Sequence, residues 1–156
     1  MNPGNGETGW KTLTLFVGGV ALVGLMLGYA NTPGGWYAAL NKPAFNPPNY
    51  VFAPVWLALY LCIGIAGARP WLRNPRSTAM TAWFGQMVLN FLWSPVFFAM
   101  HRVGLALSII VTMLIAIGAF VALQWRADRI AALCFLPYAA WVAFATALNW
   151  SIYRLN

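Results

Sequence analysis

The chain has 156 residues, of which 62% are hydrophobic and only 7% are charged, and its net charge is +7 at pH 7. Soluble domains are roughly half apolar and a quarter charged, so this composition excludes an ordinary soluble protein and indicates a membrane protein. The nine basic residues stand at the ends of apolar stretches, where they are typical of headgroup anchors and topology signals, which argues against a nucleic-acid partner.

Five stretches without Lys, Arg, Asp or Glu are long enough to cross a bilayer. Each can supply the ~20 apolar residues that a spanning helix needs, and they cover residues 12–41, 43–68, 77–101, 103–125 and 130–153. We therefore predict an all-α membrane protein, with residues 1–156 forming one domain and a proline-rich aromatic loop between helices 1 and 2. The five transmembrane helices are expected near residues 11–31, 50–69, 78–100, 102–125 and 129–153.

Basic residues are distributed unevenly between the two ends of this predicted bundle. Lys42, Arg102 and Arg154 fall on one side, and the remaining Lys and Arg residues fall on the other. The positive-inside rule then predicts a multi-pass protein with its N-terminus inside and the loop between helices 1 and 2 outside. The sequence does not indicate which membrane holds it.

Small residues on helices 1 and 4 favour close packing of helix backbones. Gly24 and Gly28 form a GxxxG pattern on helix 1, and a ridge on helix 4 consists of Gly104, Ser108, Thr112 and Ala116. Such residues serve either the packing of one bundle or a homodimer, and the sequence leaves both open.

The connection between helices 1 and 2 is stiff and aromatic. Residues 36–56, WYAALNKPAFNPPNYVFAPVW, contain four prolines and six aromatic residues. Proline restricts its own φ and the conformation of the preceding residue, so this loop needs no regular hydrogen-bond ladder to keep its shape. Its aromatic rings, Trp36 and Phe45 among them, either cover a flat hydrophobic ligand or anchor the loop at the membrane interface.

Uncharged polar and aromatic residues recur at four-residue spacing inside the predicted spans, so that each set shares one helix face. The sets are Trp56 and Tyr60 on helix 2, Gln86, Asn90 and Ser94 with Trp93 on helix 3, and Trp141, Ala145 and Asn149 on helix 5. Two interpretations fit this pattern: a ligand pocket with aromatic walls, or amides that bridge neighbouring helices and tryptophans in interfacial belts. The position of Asn90 near mid-helix, less than a turn from Trp93, favours the pocket.

The sequence offers few groups for catalysis. Glu7 and Asp128 are the only carboxylates, both outside the predicted spans, and His101 stands alone between helices 3 and 4. Acid/base pairs, nucleophile triads and metal clusters are therefore not predicted, and no cofactor is required. His101 either ligates a haem iron or is an interfacial side chain, which is the commoner role of a lone loop histidine.

The order and spacing of these residues resemble those of the translocator protein (TspO/MBR) family, whose members are also called tryptophan-rich sensory proteins or peripheral-type benzodiazepine receptors. The resemblance extends over nearly the whole chain. It is carried by Trp36, Tyr37, Leu40, Lys42, Pro43, Phe45, Pro47, Pro48, Trp56 and Tyr60, and by the runs QMVLNFLWSPVFF and LPYAAWVAFATALNWSIYRLN.

This resemblance implies a five-helix bundle with a pocket that opens toward the first loop, which folds over it as a lid. Members of the family bind porphyrins, haem, isoquinoline-carboxamide and benzodiazepine drugs and, in animal mitochondria, cholesterol. Carried over by position, the family's ligand contacts fall on Trp56, Asn90, Trp141 and Ala145. The cholesterol pattern of animal members has a spacer between its tyrosine and its basic residue, whereas here Tyr153 directly precedes Arg154.

The expected function is binding of protoporphyrin IX, haem and hydrophobic drug-like molecules or sterols within a lipid bilayer, for tetrapyrrole transport, scavenging or stress signalling. The alternative is an enzyme that degrades porphyrin with light and oxygen, with Trp56 and Trp141 as the oxidisable side chains. The predicted ligand-binding residues are Trp36, Phe45, Trp56, Tyr60, Gln86, Asn90, Trp93, Trp141 and Ala145.

Overall fold

The computed structural model describes residues 3–156, with side chains from residue 7 onward, and this part of the chain is helical without β-strands. The predicted all-α fold class is confirmed there. The six α-helices are α1 (Pro3–Ala30), α2 (Gly35–Ala39), α3 (Phe52–Arg73), α4 (Thr78–Ser94), α5 (Val103–Ala127) and α6 (Arg129–Leu155).

Each of the five predicted long helices has a counterpart, and α2 is an additional short helix. In the described part of the chain, four helical segments are long and apolar enough to cross a membrane: Glu7–Ala30, Asn49–Arg73, Val103–Ala127 and Arg129–Leu155. The fifth counterpart, α4, has 17 residues and continues into a π-helical turn at Pro95–Ala99. Pro95 lacks the N–H that would continue the α-helical hydrogen-bond pattern, which explains the change of helix type.

Large apolar side chains cover the outside of the bundle, most of all along α1. Leu15, Leu22 and Met26 are 74%, 62% and 63% exposed. Exposed apolar surface of this extent marks a binding or membrane-contacting surface, and here lipid tails are the natural neighbours.

Glycines set the closest approaches between helices. A Cβ built on Gly64 of α3 would lie 2.5 Å from the Cα of Val17, and one built on Gly24 of α1 would lie 2.2 Å from the ring of Tyr60. Gly24 therefore serves packing within the bundle, whereas Gly28 has no such neighbour within 4 Å. A homodimer through the other small residues stays a prediction.

Residues 31–51, between α1 and α3, are tied to the end of α6. The backbone N–H of Asn41 donates to Asn156 Oδ1 at 3.0 Å, and Asn156 Nδ2 donates to the carbonyl of Asn41 at 3.1 Å. Lys42 Nζ caps α2 by donating to the carbonyl oxygens of Tyr37, Ala38 and Leu40. Contacts far apart in sequence thus hold this connection against the bundle.

At the opposite end of the bundle, Asp128 joins α3, α5 and α6. Its carboxylate accepts from Arg69 Nε at 2.8 Å, lies 3.1 Å from Arg73 Nη2 and caps α6 by accepting from the Ala131 N–H. Burial raises the pKa of the Asp128 carboxyl, but these hydrogen bonds and the two positive charges outweigh burial, so that the pKa lies below its ordinary value.

Replacing Asp128 with Asn should destabilise the protein by about 2 kcal/mol at pH 7 and much less at pH 3. Asn keeps the helix cap but removes the charge. Because the folded pKa is lowered, the carboxylate stabilises the fold fully above its unfolded pKa of about 3.9, and this contribution is lost as the pH falls through the folded pKa. Thermal unfolding of the detergent-solubilised protein at both pH values measures the difference.

Glu7→Gln is the matched control for this charge removal, because the side chains of Glu7 and Lys11 are 77% and 73% exposed. An exposed pair of this kind contributes little, so no change is expected at either pH. An equal loss of stability for Asp128→Asn at pH 7 and pH 3 would contradict the role of the ion pair.

Candidate ligand-binding cavity

A cavity of about 430 Å³ lies inside the half of the bundle that faces residues 31–51. Its walls come from the end of α1, the start of α3, the second half of α4 and the facing turns of α5 and α6. Ligand pockets usually measure roughly 300–1,000 Å³ and have mostly apolar and aromatic walls with a few polar groups, and this cavity fits that description.

Six of the nine predicted site residues line the cavity. A spacing of three or four residues places each pair on the inward face of its helix, and the rings of the α3 pair lie with centroids 5.3 Å apart. The six are Trp56 and Tyr60 of α3, Asn90 and Trp93 of α4, and Trp141 and Ala145 of α6.

Trp36 and Phe45 are not among the residues that line the cavity, and their role in ligand binding stays a prediction. Trp36 stacks on His101 with ring centroids 4.1 Å apart and an interplanar angle of 17°. Phe45 is 50% exposed and packs edge-on against Phe144 of α6. Tyr37, the residue after Trp36 in α2, points inward instead and does line the cavity.

Gln86, the third exception, lies behind the cavity wall in a buried hydrogen-bond network. Asn90 Nδ2 donates to Tyr138 Oη at 2.8 Å, and Tyr138 Oη donates to Gln86 Oε1 at 2.8 Å. Met113 Sδ lies 3.3 Å from the same hydroxyl. Gln86 Nε2 is buried and has no hydrogen-bond partner in the described part of the chain.

A second network fixes the ring of Trp93. Its Nε1 donates to Asn149 Oδ1 at 3.1 Å, and Asn149 Nδ2 donates to the carbonyl of Val103 at 3.1 Å. The Trp93 ring also stacks on Phe97, with centroids 5.2 Å apart and an interplanar angle of 21°. This wall of the cavity is therefore held by three helices before any ligand arrives.

The wall formed by α1 was missed by sequence reasoning. Gly24, Leu27 and Gly28 line the cavity, although no aromatic or polar stripe marks them. The GxxxG pattern was the available signal, because Gly24 lets the Tyr60 ring pack against the α1 backbone and Gly28, one turn later, leaves open space. Other unpredicted lining residues include Tyr37, Phe52, Phe98 and Met113.

The chemistry of the lining suits an uncharged, flat ligand surface. Among the described residues that line the cavity there is no Asp, Glu, His, Cys, Lys or Arg, so recognition rests on ring stacking, apolar contact and a few neutral hydrogen bonds. Among the described residues, no group of three His, Cys, Asp or Glu side chains could hold a metal ion.

Known proteins are similar in sequence to most of this chain. A family model described as the TspO/MBR family matches residues 12–154. The chain belongs to the TspO/MBR family. The matched range contains all the cavity-lining residues, and the resemblance predicted from the motifs is thereby confirmed.

Individual TspO/MBR relatives match at similar levels. Protein CrtK of Rhodobacter capsulatus is 36% identical over 129 residues, which cover 80% of this chain and 81% of that protein. The tryptophan-rich sensory protein of Cereibacter sphaeroides is 36% identical over 124 residues, with coverage of 80% and 78%. The translocator protein of Homo sapiens is 33% identical over 126 residues, with coverage of 78% and 75%. The chain is thus a membrane protein of a family that includes translocator and sensory proteins.

Proposed function

We propose that the chain is an integral membrane protein whose cavity binds porphyrins such as protoporphyrin IX and haem, together with hydrophobic drug-like molecules or sterols. The role served is tetrapyrrole transport, scavenging or stress signalling. The observation that carries this proposal is the convergence of Trp56, Asn90 and Trp141, from three helices, on one cavity of about 430 Å³. The indoles offer faces for stacking on a flat macrocycle, and the amide offers a hydrogen bond.

The proposed topology has five spans. The fifth is α4 with its π-helical turn, which together run from Thr78 to Ala99 and reach the ~20 residues that a span needs. The N-terminus then lies inside, with Asp128 and its arginine partners, and residues 31–51 lie outside.

Residues 31–51 are the proposed lid of the cavity. Asn31, Tyr37 and Asn49 contribute to the cavity wall, and the Tyr37 hydroxyl donates to Asn46 Oδ1 at 2.9 Å within the same segment. Burial raises the pKa of Tyr37, so its hydroxyl stays a donor at neutral pH. A segment already shaped by prolines and these bonds loses less entropy when it closes over a ligand.

Titration of the purified protein with protoporphyrin IX, followed by tryptophan fluorescence, tests the proposal. Binding beside Trp56 and Trp141 should quench indole emission saturably with a single site per chain. N-acetyltryptophanamide, measured at the same porphyrin concentrations, corrects for light absorbed by the porphyrin. Quenching that never saturates, or that matches this correction, would remove the proposed function.

The second candidate function is light- and oxygen-dependent breakdown of the bound porphyrin. The observation that favours it is the position of two oxidisable indoles, Trp56 and Trp141, on the wall of the same cavity. Among the described residues, the lining offers no carboxylate, histidine, cysteine or lysine for acid/base catalysis, so the absorbing ligand supplies the reactivity, and the protein supplies confinement and orientation.

Replacing both Trp56 and Trp141 with Phe should slow porphyrin photodegradation several-fold while keeping most of the binding, because a phenyl ring still stacks. The measurement is loss of porphyrin absorbance under light in air, compared with dark and anaerobic samples. Trp150→Phe is the control, because this indole is 50% exposed and outside the cavity lining. Equal loss in the dark, or the same photoproduct rate in the double variant, contradicts this candidate.

A further inference from the structure

One buried amide in the network behind the cavity has an unpaired donor. Gln86 is 0% exposed, and its Nε2 has no partner among the residues that the structure describes. An unpaired buried N–H is costly and rare in native proteins. The side chains that surround Gln86 point to a reason for an amide at this position.

The network has a direction in this structure. Asn90 Nδ2 donates to the Tyr138 hydroxyl, which donates to Gln86 Oε1. Since Nδ2 points at Tyr138, the Oδ1 atom on the other branch of the Asn90 amide points away from it, and no described residue donates to Oδ1. Asn90 lines the cavity, so a ligand meets a hydrogen-bond acceptor there.

The same three side chains can also form the network in the opposite direction. Rotating both amides by 180° exchanges their oxygen and nitrogen atoms. Gln86 Nε2 then donates to Tyr138 Oη, the hydroxyl donates to Asn90 Oδ1, and Asn90 presents its NH₂ group to the cavity. The number of hydrogen bonds is unchanged, and the unpaired atom of Gln86 becomes an oxygen, which proteins tolerate better than an unpaired N–H.

We propose that Gln86 and Tyr138 are positioning residues for Asn90. They determine whether Asn90 presents a hydrogen-bond acceptor, which suits ligands with N–H groups, or a donor, which suits ligands with carbonyl groups. This inference rests on the proposed ligand-binding function and names its ligand class, flat hydrophobic molecules of either hydrogen-bonding type. Met113 Sδ, 3.3 Å from the Tyr138 hydroxyl, supplies a weak acceptor for the hydroxyl proton while the amides turn.

The hydrogen bonds that run from Gln86 through Tyr138 to Asn90 form the proposed relay. The variant Gln86→Met tests it, because Met fills a similar volume and removes both amide atoms. The Tyr138 hydroxyl then donates to its best remaining acceptor, Asn90 Oδ1, and Asn90 shows only its NH₂ group to the cavity. Three matched tricyclic probes read this out: carbazole, which donates through N–H; 9-fluorenone, which accepts through its carbonyl; and fluorene, which does neither.

In Gln86→Met, the ratio of carbazole affinity to 9-fluorenone affinity should fall about tenfold, and fluorene affinity should stay within about twofold of wild type. Gln124→Met is the matched control: Gln124 is also buried, at 4% exposed, but it bonds Arg73 away from the cavity, so the ratio should not move. An unchanged ratio in Gln86→Met with fluorene binding intact overturns the relay and leaves the proposed function standing. If none of the probes and no porphyrin binds the wild type, the relay and the proposed function both fail.

A measurement on the wild type keeps the test independent of the stability of that variant. The side-chain amide resonances of Gln86, assigned by NMR, report whether Nε2 gains a partner. Carbazole should leave them at their unliganded positions, whereas 9-fluorenone should shift them, although Gln86 lies behind the wall and touches neither probe. Equal responses to both probes, or no response to either, overturn the relay.

Discussion

Replacing Ala145 with Phe is expected to weaken ligand binding by about 100-fold, or about 2.7 kcal/mol, with little change in thermal stability. Ala145 is partly buried and lines the cavity one turn from Trp141. A phenyl ring at this position enters existing space, so it occupies the ligand's volume without the overpacking that destabilises a filled core. Fluorescence titration with protoporphyrin IX and thermal unfolding of the same samples measure the two effects.

Ala147→Phe is the matched control for this substitution. Ala147 lies two residues further along α6 and is exposed, and it does not belong to the cavity lining. The same ring there faces the surroundings of the bundle, and wild-type affinity is expected. Wild-type affinity in Ala145→Phe as well would show that the ligand binds elsewhere.

The second large effect is expected from Gly64→Ala, which should destabilise the protein by about 3 kcal/mol. The new Cβ would lie 2.5 Å from the Cα of Val17 and 2.8 Å from its backbone N. Backbone atoms cannot rotate aside as a side chain does, so α1 must move away from α3. The higher helix propensity of Ala, worth up to about 1 kcal/mol, is too small to offset this displacement.

Because α1 also forms one wall of the cavity, Gly64→Ala should reduce porphyrin affinity together with stability. Gly18→Ala provides the control on α1 itself, since a Cβ there has no neighbour of this kind within 4 Å. Gly18→Ala should be neutral or slightly stabilising in thermal unfolding and should bind ligand normally. Equal stability of the two Ala variants would refute the close contact between α1 and α3.

Charge distribution was sufficient to predict the helices, and four-residue spacing was sufficient to predict part of the cavity lining. A bilayer excludes charged side chains, so stretches without them mark the long helices to within a few residues, apart from the earlier start of α1. Spacing determines which residues share one helix face, as Trp56 and Tyr60 do on α3. That Trp56, Asn90 and Trp141 of three different helices belong to one cavity was implied by the family resemblance, and all three line it.

Only the tertiary structure decided the partners of residues outside such a repeat. Trp36 faces His101, and Asn41 pairs with Asn156, through contacts between distant parts of the chain that no local pattern encodes. Likewise, periodicity placed Gln86 on the same stripe as Asn90, but the drift of the stripe around α4 and the hydroxyl of Tyr138 put Gln86 behind the wall. Helical spacing determines the direction in which a side chain leaves its helix, whereas its surroundings depend on how the other helices pack against that face.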